Sequence, residues 1–160
     1  MTRTHSIVAV ALTWMFVVAL PSPARADITA FIGLSPTPEN YAVRGFAAGV
    51  SLLVLGFEFE YAQLSEDALE QLPALKTYSG NVLVQTPTST QLYATVGAGA
   101  YQESLGDTDE THVGINFGGG AKIPLIGPLR VRLDYRIFNL RGSPMHGTYQ
   151  RFYAGANIAF

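Results

Sequence analysis

The amino-acid sequence predicts an all-β protein: an eight-stranded antiparallel up-and-down transmembrane β-barrel. Three observations carry this. Apolar and polar residues alternate with a period of two through most of the chain, the mark of strands with two unlike faces. The connections between alternating segments are short and long in turn, as in membrane barrels with tight turns at one end and longer loops at the other. The face opposite the aliphatic one carries Gly45, Gly49, Gly97, Gly99, Gly114, Gly118, Gly120 and Gly155. A soluble barrel would also alternate, but its solvated outer face has no use for so many glycines, whereas a narrow, crowded interior does.

Residues 1–26 read as an address. Arg3 precedes the apolar run from Ile7 to Leu20, and Pro21, Pro23 and the small-residue pattern Ala24-Arg25-Ala26 follow. This is the layout of a secretory signal peptide cleaved after Ala26. The run falls short of the roughly 20 residues a spanning helix needs. Residues 27–160 then form one domain, the barrel. The 160-residue chain has no cysteine, which excludes disulfides and thiol chemistry, and its formal net charge of −2 gives no footing for nucleic acid.

The strands are expected at about 27–34, 44–53, 55–64, 75–86, 90–102, 111–123, 128–140 and 148–160. The clearest is Leu129-Arg130-Val131-Arg132-Leu133-Asp134-Tyr135-Arg136-Ile137, whose odd positions are apolar or aromatic and whose even positions are all charged. Gly56-Phe57-Glu58-Phe59-Glu60-Tyr61 repeats the scheme with glutamates on the polar face. Val113 to Ile123 and Phe152 to Phe160 alternate likewise. Residues 35–43, 65–74, 103–110 and 141–147 fall to the longer loops. With the mature N-terminus in the periplasm, these four loops lie outside and the three short turns inside.

Residues 27–160, with the leader before them, the alternating loop lengths and the last strand ending in Phe160, resemble the small eight-stranded outer-membrane barrels of the OmpA/OmpX type and related families with an outer-membrane β-barrel domain. The resemblance implies the cell outer membrane as location, with outer-membrane lipids, lipopolysaccharide and the barrel-insertion machinery as partners and Phe160 as the C-terminal insertion signal. Members of these families serve adhesion, envelope stability, lipid modification and small-solute passage, so no extracellular partner follows from it.

Eight strands leave an interior that side chains can fill. Strands three and seven face each other across it, so Glu58 and Glu60 are expected to form an ion-pair ladder with Arg130, Arg132, Asp134 and Arg136, with Arg151 extending it outward. Phe57 and Phe160 are expected near the periplasmic interface, and Phe46, Tyr61, Tyr78 and Phe152 near the outer one, as two aromatic girdles.

Candidates for chemistry are sparse. Ser143 and His146 share a loop with no carboxylate beside them, and His112 stands next to Glu110 with no serine in an HxS-type placement. A nucleophile needs a base that is itself oriented. Asp107, Asp109 and Glu110 form an oxygen-rich stretch that would make at most a weak cation site, since EF-hand spacing is missing. Residues 65–73 suggest a short helix capped by Ser65 and ended by Pro73. Eight of the twelve acids lie in or beside the outer loops, which makes that exterior acidic. The expected function is therefore a non-enzymatic barrel without cofactor or metal, acting through its extracellular loops or as an envelope component. The alternatives are a lipid-A-modifying enzyme and a narrow solute pore.

Overall fold

The computed structural model describes residues 24–37, 40–64, 74–105, 108–142 and 147–160. They form eight strands: β1 (Arg25–Thr37), β2 (Tyr41–Leu52), β3 (Leu55–Leu64), β4 (Ala74–Gln85), β5 (Gln91–Leu105), β6 (Thr108–Ile126), β7 (Leu129–Arg141) and β8 (Thr148–Ala159). Each strand pairs antiparallel with its sequence neighbour, and β1 pairs with β8, closing the barrel. Closure leaves no sheet edge unpaired. The seam is held to its end: Ala26 and Phe160 exchange two backbone hydrogen bonds of 2.9 Å.

The stagger of this closure follows from the register. A row of paired residues starting at Ala30 passes Phe46, Tyr61, Tyr78, Ala100 and Val113 and reaches β7 at Arg141. In the other direction it passes Ala156 and reaches β7 at Val131, ten residues lower. A shear of that size tilts the strands by about 40° and sets the width of the interior.

Two of the short connections need unusual backbone. Gly127 turns β6 into β7 at φ 56°, a conformation cheap only for glycine, whereas Leu53 adopts φ 51° in the turn from β2 to β3. Pro124, which lacks an N–H, coincides with a register shift between Pro124 and Ile126 near the end of β6. The turn from β4 to β5 is polar, and Thr86 caps it: its Oγ1 accepts from Leu92 N at 3.0 Å.

The strands correspond to the expected segments with two loops shortened: of residues 35–43, expected as a loop, β1 takes those to Thr37 and β2 those from Tyr41, with Ser35 opposite Tyr41. Residues 103–110, expected as a long loop, are mostly strand: β5 continues to Leu105 and β6 starts at Thr108, with Glu103 opposite Glu110 and Leu105 opposite Thr108. The polar composition that suggested a loop does not stop a hairpin whose backbone groups already pair. The short helix expected over 65–73 lies outside the described residues, as do residues 1–23 of the expected leader.

The alternation sorts side chains between exterior and interior. Outside stand Ile32 at 73%, Val113 at 66% and Phe160 at 69% exposure, amid a continuous surface of Leu, Val, Ile and Phe. Inside, the glycines admit aromatic rings. A Cβ on Gly120 would come within 2.6 Å of Tyr93 Oη and press on the Leu133 carbonyl, and one on Gly45 would come within 2.6 Å of the Phe31 ring. On the exterior, a Cβ at Gly80 would meet nothing within 4 Å. Gly120→Ala is therefore expected to lower the unfolding free energy by about 1–3 kcal/mol through overpacking. Gly80→Ala should leave it unchanged within about 1 kcal/mol or raise it slightly. Urea titration followed by loss of the folded, heat-sensitive gel band measures both.

Candidate functional site

The interior is stacked in tiers from the short-turn end to the loop end, and alternate residues of all eight strands build it. In the lowest tier, Asp27 on β1 holds two cations. Lys122 Nζ donates to its Oδ2 at 2.5 Å and Arg130 Nη2 donates to the same oxygen at 3.0 Å. The rest of the Arg130 guanidinium is spoken for: Nε donates to Asn157 Oδ1 at 2.6 Å and Nη1 to Gln91 Oε1 at 2.7 Å.

The middle tier is the densest. Arg132 grips Glu58 with both terminal nitrogens, Nη2 reaching Oε1 at 3.1 Å. Arg136 Nη2 donates to the same Oε1 at 2.8 Å. Asp134, two residues from each arginine on the same face of β7, accepts from Arg136 Nε at 3.0 Å and Arg132 Nη2 at 3.2 Å. Tyr93 Oη donates to Asp134 and accepts from Arg132 Nε at 2.7 Å. Above it, Glu60 is shared by Arg151, by Arg136 at 3.2 Å and by Tyr153 Oη at 3.3 Å. Arg132, Arg136 and Glu60 are completely buried.

The uppermost tier changes character. Phe31, Tyr41, Val43, Ala62, Leu64, Leu75, Tyr101, Phe138, Leu140, Tyr149 and Tyr153 form one buried cluster toward the loop end. Phe31 stacks on Tyr153 with ring centres 4.0 Å apart, and Tyr101 meets Phe138 edge-on. Arg151 joins the tiers: its guanidinium carbon lies 4.5 Å from the Phe138 ring centre and 5.5 Å from that of Phe31. Such cation–π contacts are strengthened by desolvation.

Among the residues expected in the ladder, the structure brings Glu58, Glu60, Arg132, Asp134 and Arg136 into one network, with Arg151 above. Arg130 turns away from both glutamates to Asp27. Sequence reading passed over Asp27, Lys122 and Tyr93, although their positions on β1, β6 and β5 share the interior parity that marked the others. It also passed over the apolar tier, because Val43, Leu64 and Leu75 are aliphatic, although Val43 shares the parity of Gly45 and Leu64 that of Glu58 and Glu60. The aromatic residues expected in the outer girdle lie on the exterior: Phe46, Tyr61 and Tyr78 are neighbours on β2, β3 and β4, with ring centres 5.5 and 5.0 Å apart. Phe152 packs on Tyr135 at 4.4 Å.

The chemical candidates converge less. Ser143, His146 and Asp107 lie outside the described residues, as does the Asp109 side chain. Glu110 is exposed and its carboxylate stands 3.4 Å from His112 Nε2. Among the described residues no group of three His, Asp or Glu side chains is arranged to hold a metal ion.

No protein-family model matches the chain, and no curated protein sequence does. Solved structures do. Neisserial surface protein A (NspA) superposes with a TM-score of 0.65 at 16% identity, over 86% of this chain and 96% of that one. The N-terminal β-barrel domain of Pseudomonas aeruginosa OprF gives 0.62 at 15% identity, over 85% and 97%. The fold is that of the eight-stranded outer-membrane barrels. The outer-membrane enzyme PagL shares it as well, with a TM-score of 0.51 at 12% identity, over 82% of this chain and 98% of PagL.

The network implies a measurable cost for breaking it. Glu58→Ala would leave Arg132 and Arg136 short of their shared carboxylate in a dry interior, and unpairing a buried charge costs about 3–5 kcal/mol. Glu110→Ala, at the exposed loop end, should change stability by less than about 0.5 kcal/mol. Comparing the temperatures at which the two variants lose their folded gel band checks the contrast.

Proposed function

We propose that the protein is an integral outer-membrane β-barrel whose interior is a plug and whose work is done by its extracellular loops or by its presence in the envelope. The observation that carries this is the double seal inside the barrel. A charged network that saturates the cross-section lies beneath a tier of packed rings and aliphatic chains. A solute would have to displace both, and the charged tier resists because each arginine is held by carboxylates through charge-assisted hydrogen bonds. The apolar exterior supports placement in lipid, since an exposed apolar surface of this extent is otherwise an aggregation liability.

In this reading residues 1–26 are the signal peptide, removed after Ala26, so that Arg25 and Ala26 leave β1 and the seam of the mature chain ends at Asp27 with Ala159; the barrel reaches the outer membrane through the insertion machinery with Phe160 as its C-terminal signal. The exposed, outward-facing Phe160 ring at the end of the seam supports that role. The protein is not an enzyme in this reading: the buried carboxylates Asp27, Glu58, Glu60 and Asp134 are each committed to lysine or arginine partners.

The decisive test uses the full-length chain expressed in a Gram-negative host. Isolated outer membranes should contain it as a band that migrates differently before and after boiling, because a closed barrel resists detergent until heated. The purified protein should give no discrete conductance steps in planar bilayers. Steps that persist in a loop-deleted variant would favour a pore. A changed lipid A mass spectrum in expressing cells, abolished by Ser143→Ala with His146→Ala, would favour a lipid-modifying enzyme. A protein that washes out in the soluble fraction would overturn the membrane reading itself.

A further inference from the structure

In the signal-peptide reading, one rung of the barrel belongs to the part that processing removes. Arg25 and Ala26 open β1, between β2 and β8. On one side Arg25 pairs with Ser51 and Ala26 with Val50. On the other, Ala26 and Phe160 exchange two backbone hydrogen bonds of 2.9 Å. Ser51 Oγ donates a long bond of 3.4 Å to the Arg25 carbonyl. Removal of residues 1–26 strips Phe160 of both partners and uncovers the edge of β2 at Val50 and Ser51. A notch two residues wide is left in an otherwise closed wall, with unpaired backbone on both flanks. Such an edge is a template for another extended chain.

The notch opens onto a cavity. Arg25 has the interior parity of Asp27, and it lines a pocket of about 430 Å³ at the short-turn end together with Ser51, Gln85 and Gln91. Gln85 is 4% exposed, and its Oε1 has no hydrogen-bond partner. Gln91 Oε1, by contrast, already accepts from Arg130 Nη1. A buried carbonyl oxygen without a donor is unfavourable, and a long side chain ending in N–H groups, placed where Arg25 stands, satisfies it.

The inner end of the notch selects the occupant. Hydrolysis of the Ala26–Asp27 bond adds one water and leaves a carboxylate on the departing Ala26 and an ammonium on Asp27. Asp27 itself closes that end, so no chain runs through. A strand lying in the direction of the leader stops there with its terminal carboxylate against the new ammonium. A strand lying the other way brings its own amino end to the same place and is repelled. Main-chain bonds along a strand edge supply affinity, and a pocket for the alternate side chain supplies specificity.

We infer that the mature barrel binds the free C-terminal end of a periplasmic polypeptide in this notch, its last residue paired with Phe160 and the side chain before it reaching Gln85. The inference rests on the signal-peptide reading given above. The occupant replaces the rung that processing removes, so the rim is complete only when a partner's tail is seated.

The test uses isotope-labelled protein extracted from the outer membranes of expressing cells, and the free-acid peptide Pro-Ser-Pro-Ala-Arg-Ala, which is residues 21–26. The peptide should shift the amide resonances of Ser51, Gln85 and Phe160 and leave those of Leu34 and Tyr78 in place. Amidation of its C-terminus, Ala26→Pro, which removes the N–H offered to Phe160, and Arg25→Ala should each weaken binding about 2–10-fold, as loss of one hydrogen bond does. Gln85→Leu in the barrel should erase the difference between the arginine and alanine peptides. No shift at the three amides, or equal binding by all the peptides, overturns the notch. The intact mass of the extracted protein separates this failure from the other. A chain that still carries Arg25 sinks the signal-peptide reading and the notch with it, whereas a chain beginning at Asp27 that ignores the peptide sinks the notch alone.

Discussion

Five cations and four carboxylates confined to a cross-section a few side chains wide are the constraint on which this barrel depends. Lys122, Arg130, Arg132, Arg136 and Arg151 face Asp27, Glu58, Glu60 and Asp134. Moving such groups out of water costs several kcal/mol each, and their mutual attraction offsets it only when geometry is good and leftover donors find partners. The network meets the condition in part by sharing, while Arg136 Nη1 and Arg151 Nε and Nη1 make no hydrogen bond. Glu58 and Asp134 each serve both Arg132 and Arg136, and Glu60 serves Arg136 and Arg151. The cation in excess is accommodated by rings: Tyr93 lies 4.9 Å from the Arg132 guanidinium, and Phe138 lies 4.5 Å from that of Arg151.

The wall is shaped to hold that content. Large interior side chains on one strand meet glycines on the next, so Tyr93 lies over Gly120 and Phe31 lies between Gly45 and Gly155. The stagger of the closure fixes which residues share a height, and so fixes that Asp27 meets Lys122 and Arg130 rather than the arginines above. The same geometry leaves the exterior free to be apolar, because every described charged side chain near mid-strand has been turned inward.

Much of this was legible in the sequence because a strand offers only two faces. The charged even positions of residues 129–137 and the glutamates at 58 and 60 announce a polar interior once the other face is assigned to lipid. The placement of Arg130 was not legible. Whether it reaches Glu58 or Asp27 depends on the ten-residue stagger and on the neighbour across the seam, and both are properties of closure rather than of any one strand. The apolar tier at the loop end was hidden for another reason: Val43 shares the parity of Gly45 and Leu64 that of Glu58 and Glu60, but their aliphatic character drew them to the outer face. The extension of β5 and β6 shows the limit of composition, since polar side chains at residues 103–110 mark solvent and not the end of pairing. The likeness to NspA and OprF, at 16% and 15% identity, lives in the same level of description: alternation and closure persist where individual residues do not.

The inner network also constrains how the chain can be assembled. Its charged members come from β1, β3, β6, β7 and β8, and no hairpin of two strands consecutive in sequence that carries any of them balances its own charge: β3 brings two carboxylates, while β7 brings three arginines against one aspartate. A hairpin entering lipid alone would carry unpaired charges into hydrocarbon, and a half-built sheet would still do so. The cheapest route keeps these side chains wet until β1 and β8 come together, and then dehydrates them in a single concerted event. Barrel closure and drying of the interior would then be the same step, seen once from the backbone and once from the side chains.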